Sequence, residues 1–291
     1  MNSSPSFTEH RIQRDQGRVY ARDYDGTGPA FVLLHGFPDN LHIYDLLIPY
    51  LVDAGRRVIT FDFLGYGASD KLDVPNYSFR QQLDDLEAVM ETLGLEKIVP
   101  VGHDAGGPAA INFTLEHPNR VSSLCVLNTF YSAAPTLQLP ELIALFSTPA
   151  LKALTSAMLQ NPEQLAWVFR FQQLKFLETL PEKHRATFES VLAPIINNNF
   201  NFGKAAGSGP AFAQMTAQVF EEVGRNTKRL PEVEALDVPV KIIWGGTDLA
   251  LNMGVAEDFK SHLKNASLHV LSAGHWPQID EPEQVAKAIL G

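Results

Sequence analysis

The nine residues Val99-Pro100-Val101-Gly102-His103-Asp104-Ala105-Gly106-Gly107 constrain this chain more than any other stretch. A short apolar run, which predicts a strand over Ile98 to Val101, meets a turn bounded by glycines. A helical pattern follows at once, Ala109 to Glu116, and is closed by Pro118. So tight a junction needs glycine on both sides, because the backbone at its centre is strained and strand and helix must pass closely. The residue at the centre is Asp104. As a plain N-cap it would satisfy a free helix amide. As a presented carboxylate it would lie where a helix N-terminus directs positive potential and unpaired N–H groups.

Around this junction strands and helices alternate, the pattern of a largely parallel sheet with helices on both faces. Thr8 to Arg14 and Arg18 to Asp23 read as an opening hairpin turning near Gly17. Further strands are predicted at Phe31 to His35, Val58 to Phe61, Val121 to Leu127, Val240 to Trp244 and Ser267 to Leu271. Helices are predicted at Phe79 to Leu93, stopped by Gly94, at Val255 to Leu263, and near Val285 to Leu290. From about Ala133 to Leu230 the strand texture disappears. Helical patterns broken by prolines replace it, and half of the chain's 18 phenylalanines lie there, with Trp167 among them. Asn197 to Gly209 reads as a loop or hinge. The expected organisation is an α/β core, 1–132 and 231–291, interrupted by a helical cap, 133–230, over an apolar pocket.

The formal net charge of -10, from 33 acidic and 23 basic side chains, argues against general binding to nucleic acid or an anionic membrane. Cys125, the single cysteine, sits in an apolar stretch and is expected to be buried in the core. No secretory h-region and no membrane-length apolar run is evident, so a cytoplasmic location is the expectation. A homodimer stays open.

Three more stretches carry chemistry, each directly after a predicted strand: His35-Gly36-Phe37-Pro38, Gly245-Gly246-Thr247-Asp248, and Ser272-Ala273-Gly274-His275-Trp276. Together with the glycine-bounded turn they resemble the α/β-hydrolase fold, whose nucleophile elbow is G-x-S-x-G, with Asp104 where serine usually stands. The resemblance implies Asp104 as nucleophile, His275 as base and Asp248 as the acid that orients it. It also implies the backbone N–H groups of Phe37 and Ala105 as the oxyanion hole. The other position for the acid, after the strand ending at Leu127, holds Asn128, which supplies no carboxylate. His35 and His103 are expected to orient backbone, and the loop Asp62 to Lys71 to be mostly structural.

A carboxylate is already ionised at neutral pH and displaces groups from saturated carbon, forming an ester that water then opens. His275 would deprotonate that water while Asp248 stabilises the imidazolium. Such chemistry is similar to that of the epoxide hydrolase and haloalkane dehalogenase group. The motifs at His35 to Pro38 and Gly274 to Gln278 place epoxide opening first. Haloalkane or haloacid dehalogenation stands second, and an esterase, a lactonase or a non-catalytic binding protein further back. The substrate is expected to be a small apolar organic molecule, used with water and without cofactor or metal.

The chain departs from each subfamily. Epoxide hydrolases polarise the epoxide with two cap tyrosines, yet no tyrosine occurs from Ser132 to Leu230. Tyr131 and His184 are therefore the candidate donors for an epoxide oxygen. Dehalogenases place a tryptophan after the nucleophile and often an asparagine after H-G, where this chain has Ala105 and Phe37. That leaves the Trp167 indole as the candidate halide donor. Fluoroacetate dehalogenases carry arginine where Ala105 stands.

Overall fold

The computed structural model describes residues 5–72, 76–200 and 207–291. Its strands are β1 (Thr8–Gln13), β2 (Arg18–Tyr24), β3 (Thr27–Leu34), β4 (Arg56–Asp62), β5 (Ile98–Asp104), β6 (Leu124–Thr129), β7 (Val240–Gly245) and β8 (Ala266–Leu271). They form one sheet in the order β1-β2-β4-β3-β5-β6-β7-β8. The hairpin β1–β2 is antiparallel and joins β4 antiparallel; every other pairing is parallel. Central strands β5 and β6 are buried along their whole length, which is why they read as continuous rather than alternating apolar runs.

From β3 the chain goes to β4 on one side and then crosses to β5 on the other. Ligands of such sheets bind in the crevice outside the strands' carboxyl ends at this point. The register sets Leu34 opposite Gly102, so the residues after β3 and the end of β5 emerge side by side. Strand β3 begins four residues before the expected Phe31. Thr27 to Pro29 are exposed and so leave no apolar signature. Strand β6 begins at Leu124; Val121 makes only an isolated bridge to Ile98.

The helices are α1 (Ile48–Asp53), α2 (Phe79–Thr92), α3 (Gly106–Glu116), α4 (Glu141–Ser147), α5 (Lys152–Leu159), α6 (Pro162–Thr179), α7 (Glu182–Thr187), α8 (Ala193–Phe200), α9 (Gly209–Ala217), α10 (Val219–Thr227), α11 (Leu230–Ala235), α12 (Met253–Ser261), α13 (Pro277–Asp280) and α14 (Pro282–Leu290). In the core α2 packs on α3 and α1 on α14. Helix α2 buries Leu83, Leu86, Val89 and Met90, and ends before Gly94, at φ 61°. Ser78 opens it, its side chain accepting from the Gln81 N–H at 3.1 Å. Ser78→Ala should lower the stability to urea by about 1 kcal/mol without changing the slope of the transition.

Between β6 and β7 the described chain is helical, with no strand. Two of the prolines that interrupt its pattern, Pro162 and Pro210, stand in the first turn of a helix, where a missing N–H costs nothing. Asn197 to Phe200, expected in a loop, form the last turn of α8, while residues 201–206 lie outside the described residues. Among the described residues no single helix is long and apolar enough to cross a membrane.

Candidate active site

Asp104 ends β5 with φ 45°, the left-handed region that an L-residue adopts only under strain. The turn is held from several sides. The Thr129 hydroxyl donates to the Asp104 carbonyl at 2.6 Å, and α3 starts two residues on. A side chain on Gly107 would overlap Thr129, and one on Gly36 would run into the Asp104 carboxylate itself. The Phe37 N–H donates to Asp104 Oδ2 at 3.1 Å, and the Ala105 amide also acts on this carboxylate. Burial pushes the Asp104 carboxyl up to about 6, against the pull of His275 and the two amides.

Asp104 Oδ1 faces His275 Nε2 at 3.9 Å, too long for a direct hydrogen bond and within one water-bridged contact. On the other edge of the ring, Nδ1–H donates to Asp248 Oδ2 at 2.6 Å. Burial works against a charge on His275, but the Asp248 carboxylate, then Asp104 and Asp39, hold the imidazolium up to about 9. The Asp248 carboxylate lies on the turn after β7. Burial opposes its charge, yet His275, Asn128 and the turn amides keep its pKa below the usual range. Its Oδ1 accepts from the Ala250 and Leu251 N–H groups at 3.0 and 3.1 Å.

Asn128 is the residue that sequence reasoning noticed only for what it lacks. Its Nδ2 donates to Asp248 Oδ2 at 3.0 Å, and its Oδ1 accepts from the Gly245 N–H at 2.7 Å. It thus ties the ends of β6 and β7 and fixes the carboxylate that fixes His275. Two further contacts had no separate sequence signal. Phe176 of α6 stacks on the His275 ring, centroids 5.5 Å apart, and Trp276 meets the same ring edge-on at 4.5 Å. His35 and His103 orient backbone, as expected: His35 Nε2 accepts from the Phe63 N–H, and His103 Nε2–H donates to the His275 carbonyl. Asp62 likewise ties its loop, accepting from the Leu41 and Ala68 amides.

Asp104 and His275 open on a cavity of about 50 Å³, walled by Phe37, Phe130, Leu142, Ile143, Phe169, Phe176, Ile196, Leu251 and Trp276, with Gln172 and Gln173 among the few polar residues. The Gln173 amide donates to Asn197. Gln172 accepts from the Leu142 N–H at 2.9 Å through Oε1; its NH2 group makes no hydrogen bond among the described residues and is not sealed off. Beside His275 lies a second, more polar cavity of about 150 Å³, reached past Thr247, Asp248 and Asp280 and rimmed by Glu141 and Lys175.

None of the three expected pocket donors lines the first cavity. Trp167 is 68% exposed and stacks on Phe171. The inward stripe of α6 is Leu165, Val168, Phe169, Gln172 and Phe176, and a residue two positions from Phe169 points the other way. Tyr131 is buried elsewhere, its hydroxyl donating to Asn112 Oδ1 at 2.8 Å. His184 donates from Nε2 to the Ser272 carbonyl at 2.9 Å, tying α7 to the segment that carries His275.

The sheet order and the Asp104–His275–Asp248 grouping together are those of an α/β-hydrolase fold. Residues 29–282 match the α/β hydrolase fold family, and the chain belongs to it. It is similar to a fluoroacetate dehalogenase of a Burkholderia species, 45% identical over 107 residues, which are 35% of this chain and 35% of that protein. It is similar also to epoxide hydrolase B of Mycobacterium tuberculosis, 35% identical over 136 residues, 45% of this chain and 38% of that protein. These stretches span little more than a third of either relative. A haloalkane dehalogenase from Bradyrhizobium elkani shares the fold over 98% of both chains, with TM-score 0.78 and 21% identity.

Proposed function

We propose that this hydrolase displaces halide from a small apolar haloalkane through a covalent ester on Asp104, with the segment 133–230 acting as a cap over the reacting carbon. The observation that carries the reading is the division of labour between the two oxygens of Asp104. Oδ2 is held by the Phe37 N–H, and Oδ1 is the oxygen that faces His275. Oδ1 bonds to carbon as the carbon–halogen bond breaks and the halide leaves with the electron pair. Esterification removes the Asp104 charge, one of those that hold the imidazolium, and His275 releases its proton to solvent. The neutral ring then deprotonates water, which adds to the ester carbonyl carbon while the Phe37 and Ala105 amides hold the oxyanion. Alcohol departs, Asp104 is an ionised carboxylate again, and one proton remains on His275.

The leaving group decides between halide and epoxide. In-line displacement puts it on the far side of the carbon from Asp104, towards the helical segment, and away from His275. An epoxide opens to an alkoxide, which needs an acid there. Away from His275, the cavity wall offers no phenol and no cation among the described residues; its polar side chains there are the Gln138, Gln172 and Gln173 amides, which donate hydrogen bonds but no proton. A halide needs no proton. Away from His275 the same wall has, among the described residues, no positive group to hold the carboxylate of a haloacid, which favours neutral haloalkanes.

His275→Gln should slow ester opening about 10² to 10⁴-fold and leave alkylation intact. Mass spectrometry of that variant with 1-bromoalkanes should find the substrate mass less hydrogen bromide on the peptide containing Asp104, with one bromide released per protein. An adduct of intact epoxide mass from a terminal epoxide, with no bromide release from bromoalkanes, would restore the epoxide reading. No adduct from either class would end the aspartyl-ester reading.

A further inference from the structure

Behind the site, on the turn that follows Phe37, lies a carboxylate for which the chemistry above has no use. Asp39 is 1% exposed. Its Oδ2 accepts from the Trp276 indole N–H at 2.7 Å. Its Oδ1 is buried with no hydrogen-bond partner, and so is His103 Nδ1, which lies 4.0 Å from Asp39 Oδ2. His35 Nδ1 approaches Oδ1 only to 3.7 Å, its hydrogen bond going to the Gly36 carbonyl at 2.6 Å. A buried carboxylate with one oxygen unpaired is costly and needs an explanation.

We propose that Asp39 is a positioning residue: it anchors Trp276 against the edge of His275 and places a third buried negative charge behind that imidazole, so setting the pH range in which His275 carries its proton. Trp276 is the mechanical link, since its indole contacts both Asp39 and the His275 ring. The charge is not cancelled locally. Burial first, then the neighbouring charge of His275, press His103 down to about 4, so its ring is neutral at working pH. Burial disfavours the charged form of Asp39, but the two imidazoles and the Trp276 N–H keep its pKa below the usual range. The remaining groups around the cluster are Asp62, 4.0 Å from His35 Nε2, Asp104 and Asp248, and the buried phenols Tyr44 and Tyr66. None of these brings a positive charge, so Asp39 acts on His275 and Asp104 through a poorly screened interior and raises both. The inference rests on the grouping of His275 with its carboxylates and not on the leaving group.

The test therefore uses the free protein and no substrate. The His275 imidazole resonance, assigned by its loss in His275→Gln, is titrated by NMR. Asp39→Asn should move its midpoint down, by about one pH unit at most, the order of shift that a nearby buried charge produces. Trp276→Phe, which deletes the indole N–H and keeps the charge, should leave the midpoint near its original value. Asp39→Glu, which keeps the charge, should do the same. A midpoint unmoved in Asp39→Asn overturns the proposal, as does an equal downward shift in Trp276→Phe, which would make packing the cause. Should Asp39→Asn not fold, Asp39→Glu carries the decision: an unmoved midpoint supports the charge, and a fall of about one unit refutes it.

Discussion

On the proposed mechanism the Asp104→Ala protein should turn over substrate at least about 10³-fold more slowly than the unaltered protein and form no adduct, because the atom proposed to bond to carbon is gone. Nothing else in the cavity replaces it: His275 is held for water, and the remaining wall is hydrocarbon and amide. Asp104→Asn is the stricter variant. It keeps the shape of the side chain and an acceptor for the Phe37 N–H, so its inactivity isolates the charge. The pH dependence follows with a definite sign. The carboxyl, lifted by burial to about 6, is protonated below that pH and is then no nucleophile. The single-turnover rate of alkylation should fall as pH drops through about 6 and be flat above it. An Asp104→Ala protein with an undiminished rate would remove the aspartyl ester altogether.

Asp248→Asn should have an effect of similar size on a different step. Ester opening slows about 10² to 10⁴-fold while alkylation survives, so rapid mixing should show a burst of one halide per protein and then near-arrest. Asp104→Ala shows no burst, which separates the two roles. Asp248 provides the strongest upward influence on the imidazole, so its removal leaves burial in command and lowers the His275 pKa from about 9. The ring becomes a weaker base, without a counter-charge for the imidazolium and with one fewer acceptor to orient it. A steady-state rate unchanged in this variant would mean that Asp248 serves only its turn, through the Ala250 and Leu251 amides.

Phe37, Asp104, Asp248 and His275 were legible in the sequence because each stands at a strand end or just after one. In a parallel sheet whose order reverses at β3, topology brings such ends to one crevice whatever the side chains are. The wall of the cavity was not legible in the same way. Much of it, Leu142, Ile143, Phe169, Gln172, Phe176 and Ile196, sits on helices, where the rotation about the axis decides what faces inward. Trp167, Tyr131 and His184 were chosen by residue type, and type says nothing about rotation. For α6 the pattern itself held the answer: the stripe from Leu165 through Phe169 and Gln172 to Phe176 puts Trp167 on the outer face. Asn128 escaped for another reason. Its carboxamide matters through a bond to Asp248, 120 positions along the chain, and no local pattern marks such a pairing.

The bare far wall of the cavity has a consequence for the surroundings of the enzyme. On the proposed reaction, and with no acid on that wall among the described residues, the proton that His275 would take from water is not passed to the leaving group. It would pass to the medium, and the polar chamber beside Thr247 and Asp280, whose carboxyl burial lifts to about 6, lies next to His275. Each cycle on a haloalkane then exports one equivalent of strong acid, hydrogen ion and halide together, whereas hydration of an epoxide would export none. In an unbuffered drop the working enzyme progressively titrates itself towards the pH at which Asp104 takes up its proton, and so throttles its own first step.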